Sequence, residues 1–384
     1  MTSLETLFSP EKIGNIQIKN RIVRSATFMG STEKYGYVSK NLINIYSELA
    51  RGGTGLIISG FTAVDPGGTA SPYQACLYDD SFIPGQKKLV KEVHEYLDVK
   101  IAVQIAHTGR QGYHPKYHPV APSPIPFKTT GLTPRELSSE EIEHLIQKFV
   151  DAGRRGYECG YDMIQLHAAH GYLLSNFISP FTNKRTDEYG GNIENRVRIL
   201  IDIYNGLRDE LGKNFPLIIK LQTEDFIPEG LKLEEGVQFA KILSEIGFDA
   251  IEPSGGGGDA QILSKKAYPS LVIKNSEDEN YFLPHVKKIR QNINRGKILL
   301  MGGIKNPILA EKFLKEKTAD FISMSRPLIY EPNLPNRWRE GDHSPAKCIS
   351  CNGCYMTMRI GPVYCVTKKK LEKKEKRLLN SKKI

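Results

Sequence analysis

Short apolar runs alternate with amphipathic stretches along most of the chain, and the alternation repeats eight times. The runs are Ile22–Phe28, Gly55–Phe61, Lys100–His107, Asp162–Ala169, Leu217–Gln222, Ala250–Gly255, Ile298–Gly303 and Phe321–Arg326. They are continuous rather than alternating, the pattern of parallel strands buried on both faces. Between them, apolar residues recur at helical spacing in Leu42–Ala50, Gln86–Leu97, Glu140–Gly153, Ile193–Leu211, Glu234–Ile246, Tyr281–Ile293 and Ile308–Lys315. Capping signals precede two of these, Ser138-Ser139-Glu140-Glu141 and Asn306-Pro307. Eight such units in roughly 300 residues predict an α/β TIM (β/α)8 barrel rather than a doubly wound sheet, which usually has fewer strands.

Two pieces lie outside the eight. Lys12–Lys19 alternates around a Gly-Asn turn and predicts an N-terminal hairpin plugging the bottom of the barrel. The Pro-rich stretch 115–135 predicts a long loop leaving the catalytic face and shaping the substrate pocket. No composition break interrupts residues 20–330. The expected organisation is a barrel over 1–340, a Cys-rich extension over 341–367 and a solvated basic tail over 368–384.

Charge changes this picture only at one end. The 384 residues carry a formal net charge of +10, yet residues 368–384 alone hold nine bases against two acids. The body is nearly neutral, which argues against a fold that binds nucleic acid, and the tail lacks aromatics for base stacking. No apolar run reaches the length of a membrane span, and the N-terminus has neither a basic nor an apolar segment of a secretion signal. A cytoplasmic enzyme with a small-molecule substrate is expected. Homo-oligomerisation is left open by the sequence.

In a TIM barrel the chemistry lies at the C-terminal strand ends. Here these read Ser25-Ala26-Thr27, Gly60-Phe61-Thr62, Gln104 to His107, His167-Ala-Ala-His170-Gly-Tyr172, Lys220 to Gln222, Ser254 to Gly258, Gly302-Gly303 and Ser325-Arg326. The Gly-rich turns followed by Ser325-Arg326 suit an anion such as phosphate, although glycines can also merely turn the chain. His167 and His170 admit three readings: a metal site with His107 as a third ligand, core histidines, or a pair donating to an oxygen that gains negative charge. Tyr172, two residues on, can supply a proton.

The segment from Asn183-Lys-Arg185-Thr-Asp187 to Asn195-Arg196, directly after His167–Leu173, closely resembles the old yellow enzyme family. Asn20-Arg21 and Gln104-Ile-Ala-His107-Thr-Gly-Arg110 match as well, so the resemblance covers roughly residues 5–340. It implies an FMN-dependent ene-reductase with NAD(P)H as reductant and an activated alkene as substrate. Ser25, Ala26, Thr27 and Phe61 would then line the flavin, and Gln104 would bond its pyrimidine ring. Lys220 replaces an arginine that usually faces the N1/O2 edge. Gly302, Gly303, Ser325 and Arg326 would hold the phosphate, His167 and His170 the substrate carbonyl, and Tyr172 would be the catalytic proton donor. The chain departs from many bacterial members, which carry a cysteine at the Thr27 position and a tyrosine at the Met29 position.

Cys348-Ile-Ser-Cys351-Asn-Gly-Cys354, followed by Cys365, resembles the 4Fe-4S segment of 2,4-dienoyl-CoA reductase and trimethylamine dehydrogenase. Four thiolates at this spacing suit an iron-sulfur cluster, and zinc or free thiols remain chemical alternatives. No Gly-x-Gly-x-x-Gly nucleotide segment follows, so a separate electron-transfer partner would feed such a cluster, with the basic tail as a docking strip. The dienoyl reductases use a histidine after the sixth strand, a region occupied here by Gly255–Gly258.

Overall fold

The computed structural model describes residues 3–112, 114–264, 270–358 and 361–381. Eight parallel strands run Ile22–Arg24, Leu56–Ile58, Lys100–Ala106, Met163–Ala168, Leu217–Glu224, Ala250–Gly255, Lys297–Leu300 and Phe321–Met324. Each pairs with the next, and Ile22 pairs with Ile322 of the eighth strand, so the sheet closes into a TIM barrel. Helices flank it, and their starts follow local chemistry. Ser138 Oγ accepts from Glu141 N at 3.2 Å while the Glu141 carboxylate accepts from Ser138 N at 2.9 Å, a reciprocal cap for the helix Ser139–Glu158. Asn306 caps the helix Pro307–Lys315.

Several strands are shorter than predicted at the catalytic end. The first stops at Arg24 rather than Phe28, and the seventh at Leu300 rather than Gly303. Gly302 and Gly303 adopt φ values of 109° and 79°, outside any strand conformation. After Ile58 the chain leaves the sheet and rejoins the third strand only at Thr62–Ala63. The predicted helix Tyr281–Ile293 contracts to Leu283–Arg290, with Pro284 in its first turn.

The barrel interior is layered. The hairpin Glu11–Ile13/Ile16–Ile18 sends Ile13 and Ile18 against Val23, Leu56, Ala102, Met163, Ile218, Ala250, Leu299 and Phe321, an apolar floor closed from below. Side chains alternate with period two, so residues two positions further on face inward again. That step converts Val23, Ala102, Met163, Ile218, Ala250 and Phe321 into Ser25, Gln104, Gln165, Lys220, Glu252 and Ser323, a polar deck above the floor. The barrel register places Gln104 opposite Gln165, and Lys220 between His167 and Glu252.

Beyond the barrel, the Cys-rich segment contributes Cys354, Tyr355 and Met358 to the mouth, and the helix Val366–Ser381 follows. Residues 369–380 of that helix are all exposed; 382–384 of the basic tail lie outside the described residues. Among the described residues no helix is long and apolar enough to cross a membrane.

Candidate active site at the strand ends

The polar deck is one hydrogen-bonded network centred on Glu252, which is buried. Its carboxylate accepts from Ser25 Oγ and Ser323 Oγ, both at 2.7 Å, and from Gln165 Nε2 at 3.0 Å. Lys220 Nζ lies 3.0 Å from the same carboxylate and donates to Ser25 Oγ at 2.9 Å. Gln104 Nε2 in turn donates to Gln165 Oε1 at 2.7 Å. Although burial works against the charge, the ammonium of Lys220 and the hydroxyl donors hold the Glu252 carboxyl below its ordinary range.

Above the deck stands a cluster of rings. The centroids of His167 and His170 are 5.0 Å apart, those of His167 and Tyr172 5.0 Å, and those of Phe61 and Tyr172 5.2 Å. His167 is buried and its Nδ1 has no hydrogen-bond partner among the described residues. His170 sits at φ 65°, held by its N–H on Gln222 Oε1 at 2.8 Å, and its Nε2 lies 2.7 Å from Ser254 Oγ. Burial, then neighbouring positive charge, pushes both imidazoles well below the usual range, so they are neutral. Burial raises Tyr172, and nearby Tyr355 adds to it, so the phenol keeps its proton. His107 takes no part: its Nδ1 accepts from Gly109 N at 3.0 Å, and its ring is buried against Asp65. The three-histidine grouping is therefore not formed.

Two cavities of about 340 and 100 Å³ adjoin through Ala26, His170, Lys220, Ser325 and Arg326. Every residue expected at a flavin, from Ser25, Ala26 and Thr27 to Arg326, lines one or the other, as do His167, His170 and Tyr172. A Cβ on Gly302 would come within 2.9 Å of Phe282, and one on Gly303 within 2.5 Å of Ile273, so backbone alone fits there. Two details differ from a simple cradle. The Thr27 hydroxyl is shared between Ser25 O at 2.9 Å and Ser325 Oγ at 2.8 Å. One terminal nitrogen of Arg326 donates to Leu271 O at 2.7 Å, Ser350 O at 3.1 Å and Asn352 Oδ1 at 2.7 Å, tying the strand end to the Cys-rich segment.

Residues that the sequence pattern did not mark complete the walls. Phe127 and Thr129 come from the Pro-rich loop, and Tyr355, Met358 and Val363 from the Cys-rich segment. The loop is fastened by Arg110, which donates to Pro126 O at 3.1 Å, pairs with Asp259 and packs 5.5 Å from the Phe127 ring. Cys348 is buried, Cys351 exposed, and Cys354 and Cys365 lie between. Ser350 N donates to Cys348 Sγ at 3.4 Å, and Cys348 and Cys354 each feel Cys365 electrostatically. Among the described residues, however, no three His, Cys, Asp or Glu side chains converge as a metal site.

This geometry has known counterparts. The family model of the NADH:flavin oxidoreductase / NADH oxidase family matches residues 6–344. The chain belongs to that family. The NADH oxidase of Thermoanaerobacter brockii is 39% identical over 360 residues, 92% of this chain and 54% of that protein. A 2-naphthoyl-CoA reductase complex superposes with a TM-score of 0.87 at 29% identity, over 95% of this chain and 57% of that one. The old yellow enzyme homologue from Zymomonas mobilis gives a TM-score of 0.73 at 27% identity, over 87% of this chain and 92% of that one. The chain thus spans about half the length of the first two and nearly all of the third. The barrel and the old yellow enzyme resemblance are borne out.

Proposed function

We propose that the chain binds FMN across the two adjoining cavities and, with NAD(P)H as reductant, reduces alkenes conjugated to a carbonyl group. The observation that carries this reading is the cluster of His167, His170 and Tyr172 standing over the polar deck. The donor set fits FMN. The bare backbone at Gly302 and Gly303, with Ser325 and Arg326, suits the phosphate. Gln104 and Lys220 suit the pyrimidine edge, and Ser25, Ala26, Thr27 and Phe61 the rest of the ring system.

FMN, when bound, supplies two-electron exchange with NAD(P)H and with the alkene. The neutral His167 and His170 donate hydrogen bonds to the substrate carbonyl oxygen, which gains negative charge during reduction. Tyr172 holds a proton on its phenol oxygen and delivers it to the α-carbon. The ring cluster and the residues from the Pro-rich loop shield that oxygen from water. The test is anaerobic: NAD(P)H should bleach the flavin absorbance, and 2-cyclohexenone should restore it. A protein whose spectrum responds to neither is no ene-reductase.

A second reading makes Cys348, Cys351, Cys354 and Cys365 a 4Fe-4S site served by a separate electron carrier. It is favoured by the Ser350 amide aimed at Cys348 Sγ, a donor that a ligating thiolate would accept. The thiols do not converge as they stand, so we route no step through them. Iron and sulfide assays on anaerobically purified protein decide it, and a protein free of both disposes of this reading.

A further inference from the structure

The residue that governs the polar deck is not one of those facing the cavity. Glu252 is 1% exposed and Lys220 2%. Its four contacts leave a carboxylate with donors on both oxygens and a fixed direction of bonding. A carboxylate can only accept, so Gln165 must turn its amide N–H toward Glu252. The Gln165 carbonyl then accepts from Gln104, and Gln104 keeps its own carbonyl oxygen as the acceptor left for the cavity it lines. The same carboxylate sits against the ammonium of Lys220, so the cation reaches the cavity already offset by an equal negative charge.

We propose that Glu252 is a positioning residue that sets the electrostatics beneath the flavin: it orients Gln104 through Gln165 and offsets Lys220, holding the flavin reduction potential down. The proposal rests on the FMN reading above. Two-electron reduction with uptake of one proton leaves negative charge on the N1/C2 edge of a flavin, which an uncompensated Lys220 would stabilise strongly in a buried site. With Glu252 ionised beside it, that stabilisation is tempered, and electrons are passed on to an alkene more readily. An ordinary buried ion pair would need no relay through two glutamines. Here the carboxylate is connected, by hydrogen bonds alone, to both residues expected at the pyrimidine edge.

The test is the potential of FMN-loaded wild type, Glu252→Gln and Glu252→Asp, measured by dye-coupled anaerobic reduction. Glu252→Gln should favour reduced over oxidised FMN by at least tenfold relative to wild type, an upward shift of about 30 mV for a two-electron couple. Glu252→Asp keeps the charge but withdraws it from Lys220, so its potential should rise by less; it also serves if the Gln variant does not fold. A purely structural role would weaken both redox states alike and leave the potential in place. FMN bound at an unchanged or lowered potential in the variants overturns the role of Glu252 alone. Wild-type protein that takes up no FMN overturns the flavin reading and this proposal with it.

Discussion

Burial makes the Tyr172 phenol reluctant to ionise, so it keeps its proton across the working pH range, as the proposed role of proton donor requires. Tyr172→Phe should therefore slow alkene reduction by about 10² to 10⁴-fold, the usual worth of a general acid, while reduction by NAD(P)H proceeds normally. Stopped-flow measurement of the two half-reactions separates these outcomes, and equal losses in both would remove Tyr172 from the role. The neutral histidines carry a second expectation. Their protonation lies well below about pH 6.5, so the alkene half-reaction should show no titration step there. A clear step near that pH would mean that one imidazole works as a cation. His167, His170 and Tyr172 were legible in the sequence because polar residues at barrel strand ends face the pocket. Glu252 was not, because it lies within the run Ala250–Gly255 and only the period-two count from Ala250 exposes it as inward-facing. His107 shared the strand-end signature, yet it turns into the packing beside Asp65.

Two elements frame the site, and only one declared its contacts in advance. The Gly-Asn turn and alternating isoleucines of 12–19 identify a hairpin plug, and the floor it forms is apolar throughout. Replacing Ile18 with alanine should cost about 2–5 kcal/mol, the range for a fully buried aliphatic side chain, read as a lower urea midpoint. The prolines of 115–135 announced a long loop but not its anchor, since Arg110 reaches Asp259 across 149 positions of sequence. Arg110→Met would leave Asp259 and its buried neighbour Asp225 without that cation and release Phe127 from the cavity wall. The KM for an enone should rise about tenfold or more, with FMN affinity little changed; an unaltered KM would show that the loop holds its place without Arg110.

At the scale of the molecule, buried neutral imidazoles make the fold sensitive to acid. His285, whose Nδ1 lies 2.8 Å from Thr223 Oγ1, is held down to about 4 by burial. An unfolded chain takes up that proton near pH 6.5 and the folded one does not until about 4, so the contribution is complete above about 6.5 and is lost as the pH falls toward 4. The shift corresponds to about 3 kcal/mol. Urea midpoints should fall between pH 7 and 4.5, and less steeply in His285→Gln; a flat profile in the wild type would refute the assignment. The closed sheet and the stoppered floor have a kinetic corollary. With the plug filling one end, the described residues leave the cavity over the deck facing the opposite mouth, and on the function proposed above two reactants bound for the same ring system would share that doorway. Steady-state rates against both concentrations should give parallel reciprocal lines, and each reactant in excess should inhibit by occupying the doorway meant for the other.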